Sequence, residues 1–401
     1  AREKFIAAKW GILEMATGTG KTRTALSIIT QLINDNKIDK IIIQMKGKDL
    51  ITQWRDNIDK WLVSKIDRDV NLLECSATLD ELDSFNINFK NPEIDLILIR
   101  QSSLPNLLDQ IKDMDQSRTI IIHDEVHDLF AQKISEKIIG KQNKFAYKLG
   151  LSATIKEPYD TDREKMLFKE IQGSGNEAIY TYELIDAIKD GVLVQSELIE
   201  LHYTLYEDEK DEISKAQKKY FASINAGVPK NEAEKIRNMK VSDVRKNARN
   251  KIEVFEGEIE WLKKKLKRSF IFADETDYGD KLLNIITPHL NVKTHFQDAD
   301  RENLKNFSDK KIECIINVQM LSQGIDIKNL NTIVLFATPQ GRQFIQRIGR
   351  VLRKDNENPK KIAIIIDFFD ENQLNNKIKD SSDYMRYLKL KEITETKNVD
   401  R

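Results

Sequence analysis

Runs of consecutive apolar residues, many of them β-branched, recur along the chain, each too short for a buried helix and each bounded by glycine, small or acidic positions. In the first half they are Gly11-Ile12-Leu13-Glu14-Met15, Thr119-Ile120-Ile121-Ile122-His123 and the stretch that closes on Leu151-Ser152-Ala153-Thr154. In the second half they are Phe270-Ile271-Phe272-Ala273, Ile312-Glu313-Cys314-Ile315-Ile316-Asn317, Asn331-Thr332-Ile333-Val334-Leu335-Phe336 and Lys361-Ile362-Ala363-Ile364-Ile365-Ile366-Asp367. Short unbroken runs of this kind predict strands buried on both faces, as in parallel sheets covered by helices. Two sets of them, one in each half of the chain, fit two α/β domains.

Between the sets the pattern turns helical. Ile213, Gln217, Tyr220 and Ile224 form a weak stripe, and Ile252, Phe255, Ile259, Leu262 and Leu266 form a stronger one, with Gly227-Val228-Pro229 breaking the run between them. The spacing predicts a helical insertion in the second domain, about 207–266, packed on itself as an antiparallel pair. Its basic residues, from Lys235 to Arg249 and from Lys263 to Arg268, offer either a solvated face or a surface for a nucleic-acid strand. Further on, Phe344, Ile348 and Val351 share one helical face while Gln346, Arg350 and Arg353 share another. Beyond about Asp370 the composition turns polar, and residues 381–401 are expected to be a tail helix or a linker.

The chemistry enters where the first apolar run ends. Ala16-Thr17-Gly18-Thr19-Gly20-Lys21-Thr22 follows a strand and opens a helix, the order a phosphate-binding loop needs. Gly18 and Gly20 let backbone N–H groups close around an anion, Lys21 reaches the terminal phosphates, and the Thr22 hydroxyl is placed to ligate Mg²⁺. Thr17 and Thr19 complete the ATP-binding loop. A second strand must bring carboxylates, and Thr119–His123 ends in Asp124-Glu125-Val126-His127. Two adjacent acids divide the labour: Asp124 holds the metal, Glu125 orients and deprotonates the lytic water. Ser152 and Thr154 are small hydroxyl residues suited to coupling nucleotide state to domain position. On the face shared with Gln346, Arg350 and Arg353 present two guanidiniums to something anionic, as an arginine finger does.

With these segments in this order the chain resembles the superfamily 2 helicases and translocases, the DExH branch in particular, over nearly all of residues 11–355. The resemblance implies two tandem RecA-like P-loop NTPase domains with parallel sheets, over residues 1–190 and 195–380, and ATP bound between Lys21, Thr22, Asp124 and Glu125 on one side and Gln346, Arg350 and Arg353 on the other. It adds His127 to the coupling residues, and Gly324 and Asp326 of Met320–Ile327 to the nucleotide site. Nucleic-acid contacts are implied for Lys48 and Gln53, for Arg100, Gln101 and Ser102, and for Asn317 and Ser322. Gln323 and Arg100 depart from the family, where glutamate and threonine are common. The spelling Met15–Thr22 and the connector Tyr182–Val194 look like restriction-enzyme motors, bacterial defence helicases and XPB-type repair helicases. The implied function is an ATP-dependent DNA helicase or double-stranded DNA translocase, the motor of a restriction or antiphage system with nuclease or other subunits as partners. The alternatives are an RNA helicase and an ATP-gated nucleic-acid sensor that does not move.

Composition changes this picture little. The 401 residues suffice for two cores, and 65 basic against 65 acidic residues leave no net charge, so any grip on nucleic acid is a local patch. Cys75 and Cys314 have no metal-ligand spacing, which disfavours a disulfide framework or zinc site and points to a reducing cytoplasm. No apolar run is long enough to span a membrane. Residues 1–10 lack the adenine-reading glutamine that the family places before the loop, so a segment upstream of Ala1 is expected.

Overall fold

The computed structural model describes residues 1–75, 94–112, 115–130, 136–155, 161–296, 301–318, 329–337, 341–355, 357–376 and 382–397. The chain divides into two compact units, Ala1–Glu183 and Leu184–Arg401. The fold class expected from the apolar runs is the one observed, two α/β units each built on a parallel sheet.

The first unit holds β1 (Trp10–Met15), β2 (Lys40–Met45), β3 (Val70–Cys75), β4 (Ile94–Arg100), β5 (Thr119–Asp124), β6 (Tyr147–Ser152) and β7 (Tyr180–Tyr182), in the order β3-β4-β2-β5-β6-β1-β7. Every residue of β2, β5 and β6 is buried. The unbroken apolar runs have a simple cause: alternate residues feed two separate cores. Leu13, Ile41, Ile43, Ile120 and Ile122 join the layer that includes Trp54 and the Lys21–Asn34 helix. Ile12, Ile42 and Ile121 enter the opposite layer, with Leu104, Leu107 and Phe168. Each such side chain contributes about 1.5–3 kcal/mol on burial. The strand order matters for the site. β6 lies between β1 and β5, with Ser152 paired to Glu14 on one side and Leu151 paired to Asp124 on the other. Gly150 permits this closeness, since a Cβ there would lie 3.1 Å from both Ile12 and Val126.

The second unit holds β8 (Ser196–Tyr203), β9 (Ser269–Ala273), β10 (Val292–Phe296), β11 (Cys314–Val318), β12 (Thr332–Leu335) and β13 (Ala363–Asp370), ordered β10-β11-β9-β12-β13-β8. The helical stretch differs from the expectation in one respect. Helices Glu207–Asn225 and Lys230–Lys246 pack on each other, but the strong stripe belongs to a third helix, Asn250–Leu262, that packs on β8. Its Phe255, Ile259 and Leu262 join Leu201, Ile271 and Phe368 in the domain core. The paired helices bury only Glu209 and Ala233. Residues expected as a polar tail include a helix, Ser382–Glu395, whose Leu390 and Ile393 are fully buried. Its Arg386 lies between Asp367 and Asp383, 2.7 and 2.8 Å away, and Tyr203 donates to Asp383 at 3.1 Å. No helix among the described residues is long and apolar enough to cross a membrane.

Candidate functional site

β1 ends at Met15, and the loop to the Lys21–Asn34 helix turns on glycines in the left-handed region, Gly18 at φ 87° and Gly20 at φ 93°. A side chain at Gly20 would meet nothing closer than 4.0 Å, so glycine is required there by the dihedral rather than by space. Thr19 closes the turn, its hydroxyl donating to the Ala16 carbonyl at 2.6 Å. Lys21 Nζ curls back to donate to the Met15 carbonyl at 3.2 Å. The Thr17 hydroxyl is buried with no partner among the described residues, an atom left over for a ligand.

β5 delivers Asp124 to the same end of the sheet. Its carboxylate is 8% exposed, with Oδ2 accepting from the Trp54 indole N–H at 2.8 Å and Oδ1 from the Glu125 backbone N–H at 3.1 Å. Burial pushes the Asp124 carboxyl up from the usual range, while the Trp54 hydrogen bond and the nearby Lys21 ammonium pull it back. Lys21 and Asp124, 103 positions apart by number, are therefore close enough for the ammonium to favour the ionised carboxylate. Glu125 sits at φ 49°, a strained conformation for a residue with a side chain. A threonine hydroxyl such as that of Thr22 and a carboxylate such as that of Asp124 are the hard oxygen donors that Mg²⁺ takes, and the positive-φ loop suits an anion.

Three of the expected coupling residues are joined. His127 Nδ1 lies 2.9 Å from Ser152 Oγ and 3.4 Å from Glu125 Oε2. The single hydroxyl proton of Ser152 goes to the Thr154 carbonyl at 2.7 Å, so Ser152 accepts from His127 and the imidazole hydrogen is on Nδ1. The backbone N–H of Thr154 returns to Ser152 Oγ at 3.2 Å, and Ile155 N–H is held by Glu14 at 2.9 Å. β1, β5 and β6 are thus laced together by side chains at and just beyond their ends.

The remaining expected residues are scattered. Lys48 begins the Lys48–Trp61 helix, which also carries half-buried Gln53. At the end of β4, Arg100 is half-buried and Ser102 is exposed, whereas Gln101 is buried and donates to the Asp128 carbonyl at 2.6 Å. Asn317 is 1% exposed within β11. Ser322, Gly324 and Asp326 lie outside the described residues. In the second unit Gln346 and Arg350 are on the Arg342–Val351 helix, both buried, while Arg353 stands just past its end. Arg347 anchors that helix by donating to the Ala337 carbonyl and covering the Phe272 ring at 4.4 Å.

Sequence reasoning missed the side chain that supports Asp124, Trp54. It also missed His123, the preceding residue of β5, which is fully buried between Gln44 and Gln142 at 3.0 and 2.7 Å, with burial pushing its imidazole down to about 4. A histidine within an isoleucine run was the available signal.

Residues 4–157 match the family described as the Type III restriction enzyme, res subunit, and residues 250–355 match the helicase conserved C-terminal domain. The chain is 25% identical over 384 residues to the DNA 3'-5' translocase XPB2 of Sulfurisphaera tokodaii, covering 91% of this chain and 80% of that one. Among solved structures it is similar to the Hef helicase domain of Pyrococcus furiosus, with TM-score 0.53 and 13% identity over 95% of this chain and 97% of the other. It is also similar to the ATP-dependent Type ISP restriction-modification enzyme LlaBIII bound to DNA, with TM-score 0.62 and 15% identity, covering 99% of this chain and 29% of that enzyme.

Proposed function

The chain belongs to the superfamily 2 helicases and translocases and is a nucleic-acid-dependent ATPase, and from that premise we propose that it is a DNA translocase or helicase that moves by hydrolysing Mg²⁺–ATP. The observation that carries the ATPase part is the convergence of Lys21, Asp124, Glu125 and the His127–Ser152 pair at one end of one sheet. DNA rather than RNA is supported by the DNA translocase relative.

In this reading the loop N–H groups and Lys21 bind the phosphates, while Thr22 and Asp124 hold the metal. Bound Mg²⁺ would spread the negative charge of the β- and γ-phosphates. Glu125 takes the proton of the lytic water on its carboxylate. His127, which carries its hydrogen on Nδ1, sits 3.4 Å from Glu125 and 2.9 Å from Ser152, so it steadies the base and passes its position to β6. Gln346, Arg350 and Arg353 of the second unit act on the same nucleotide during hydrolysis, and Gly324 and Asp326 assist. Lys48, Gln53, Arg100 and Ser102 contact the strand. The match of residues 4–157 to a restriction subunit supports a further reading as the motor of a restriction or defence assembly, with a nuclease subunit as partner.

The test is steady-state ATP hydrolysis with no nucleic acid, single-stranded DNA, duplex DNA and RNA. DNA is expected to stimulate more than RNA, and Lys21→Ala to abolish turnover. Glu125→Gln is expected to retain nucleotide binding and lose about 100-fold or more in rate. Near-normal turnover in Glu125→Gln would remove Glu125 from the role of base, and stronger stimulation by RNA would replace DNA as the track.

A further inference from the structure

The strongest unused feature of the first unit is the bond between Trp54 and Asp124, made across 70 residues between two buried side chains, 1% and 8% exposed. Trp54 belongs to the Lys48–Trp61 helix, the element that carries Lys48 and Gln53. Successive helical positions point about 100° apart, and along this turn exposed Thr52 gives way to half-buried Gln53 and then to buried Trp54. The helix that carries Lys48 and Gln53 therefore also turns its Trp54 indole inward, onto the carboxylate assigned to the metal.

The choice of side chain fits that task. An indole N–H is a donor only, so it fixes the direction of a carboxylate without exchanging a proton with it. It occupies Oδ2 from one side, and the Glu125 N–H occupies Oδ1, which leaves each oxygen a lone pair for another partner. The same pattern recurs next door. Gln101, between Arg100 and Ser102, donates to the Asp128 carbonyl at 2.6 Å and so grips the turn that carries His127. In the first unit, the Lys48–Trp61 helix and the Arg100–Ser102 turn each place one side chain in a hydrogen bond to the Asp124–Asp128 segment.

We propose that Trp54 is a positioning residue of the ATPase, holding the Asp124 carboxylate through its indole N–H so that strand occupancy at the Lys48–Trp61 helix is communicated to the metal-binding oxygens. This rests on the translocase reading for the strand and on the Asp124 assignment for the metal. Outer-shell partners of metal ligands are worth about 10- to 100-fold in metal affinity or activity. A Trp54→Phe change keeps an aromatic ring in the core and deletes the donor. Ile58→Ala is the control, since Ile58 is fully buried in the same helix and its loss loosens the core without removing a hydrogen bond.

Two readouts on the full chain decide it. The first is the Mg²⁺ midpoint for binding a fluorescent, non-hydrolysable ATP analogue, which needs no turnover. The second is the ratio of DNA-stimulated to basal hydrolysis at saturating Mg²⁺. Trp54→Phe is expected to raise the midpoint about tenfold and to flatten the ratio, with Ile58→Ala changing thermal stability and neither readout. A midpoint within twofold of the unmodified chain, or the same shift in Ile58→Ala, overturns the proposal. If DNA fails to stimulate the unmodified chain, it is the translocase reading that falls, while the Mg²⁺ midpoint still decides whether Trp54 positions Asp124.

Discussion

Glu125 and His127 show how much of the candidate mechanism rests on single atoms. The positive φ of Glu125 turns its side chain out of the strand direction, and a conformation of this kind costs of the order of 1 kcal/mol or more that the surroundings must offset. His127 Nδ1, the Ser152 hydroxyl and the Thr154 carbonyl form a chain, with Glu125 Oε2 also 3.4 Å from Nδ1. Ser152→Ala removes the acceptor for His127 without touching Lys21, Asp124 or Glu125. DNA-free hydrolysis is expected to survive within a few-fold, while strand displacement or roadblock removal is lost. Equal loss of both activities would show that Ser152 supports catalysis rather than coupling. His123 gives a pH prediction of definite sign. Its folded pKa of about 4 lies below the ordinary 6.5, so the unfolded chain takes up a proton first as pH falls. Stability is therefore lost between about pH 6.5 and pH 4, by up to about 3 kcal/mol from this residue. Urea unfolding over that range should show the slope, and His123→Asn should reduce it.

At the scale of elements, sequence and structure part company where apolar residues are not what locates a helix. The buried strands were legible because a strand covered on both faces must be apolar at successive positions, as in Ile120-Ile121-Ile122. The loop before Lys21 was legible because its dihedrals demand glycine. The Asn250–Leu262 helix was legible as a helix but not by its neighbour, since periodicity shows which face is apolar and not what covers it. The role of Trp54 was not legible because its partner is 70 residues away. The Ser382–Glu395 helix was least legible, for its anchors are charges. Arg386 is flanked by two carboxylates and also donates to the Phe368 carbonyl at 2.8 Å. Burial raises the Asp367 carboxyl, whereas at Asp383 the pull of Arg386, Lys251 and Arg245 outweighs burial. Arg386→Met leaves two buried acids without this partner and is expected to cost about 3–5 kcal/mol. Chemical denaturation should register that loss in the second unit, and an effect below about 1 kcal/mol would mean the helix is held by Leu390 and Ile393 instead.

For the whole molecule, two sheets with separate cores imply two cooperative transitions, and this makes the roles of residues on different units separable. A ligand stabilises whichever folded unit it binds, by about 2.7 kcal/mol at a free concentration of roughly one hundred times its dissociation constant. Calorimetry with a non-hydrolysable Mg²⁺–ATP analogue is expected to raise the transition of the first unit, and Lys21→Ala to cancel that rise. If Arg350 and Arg353 act on the same nucleotide, the transition of the second unit rises too, and Arg350→Ala removes this second shift while sparing the first. Arg350 is 4% exposed, so the variant needs its own ligand-free baseline before the shift is read. A second transition that ignores the nucleotide with and without DNA would take Gln346, Arg350 and Arg353 out of the hydrolytic machinery. Hydrolysis would then depend on Lys21, Asp124 and Glu125 alone, and the arginine-bearing helix would be left to answer to the strand.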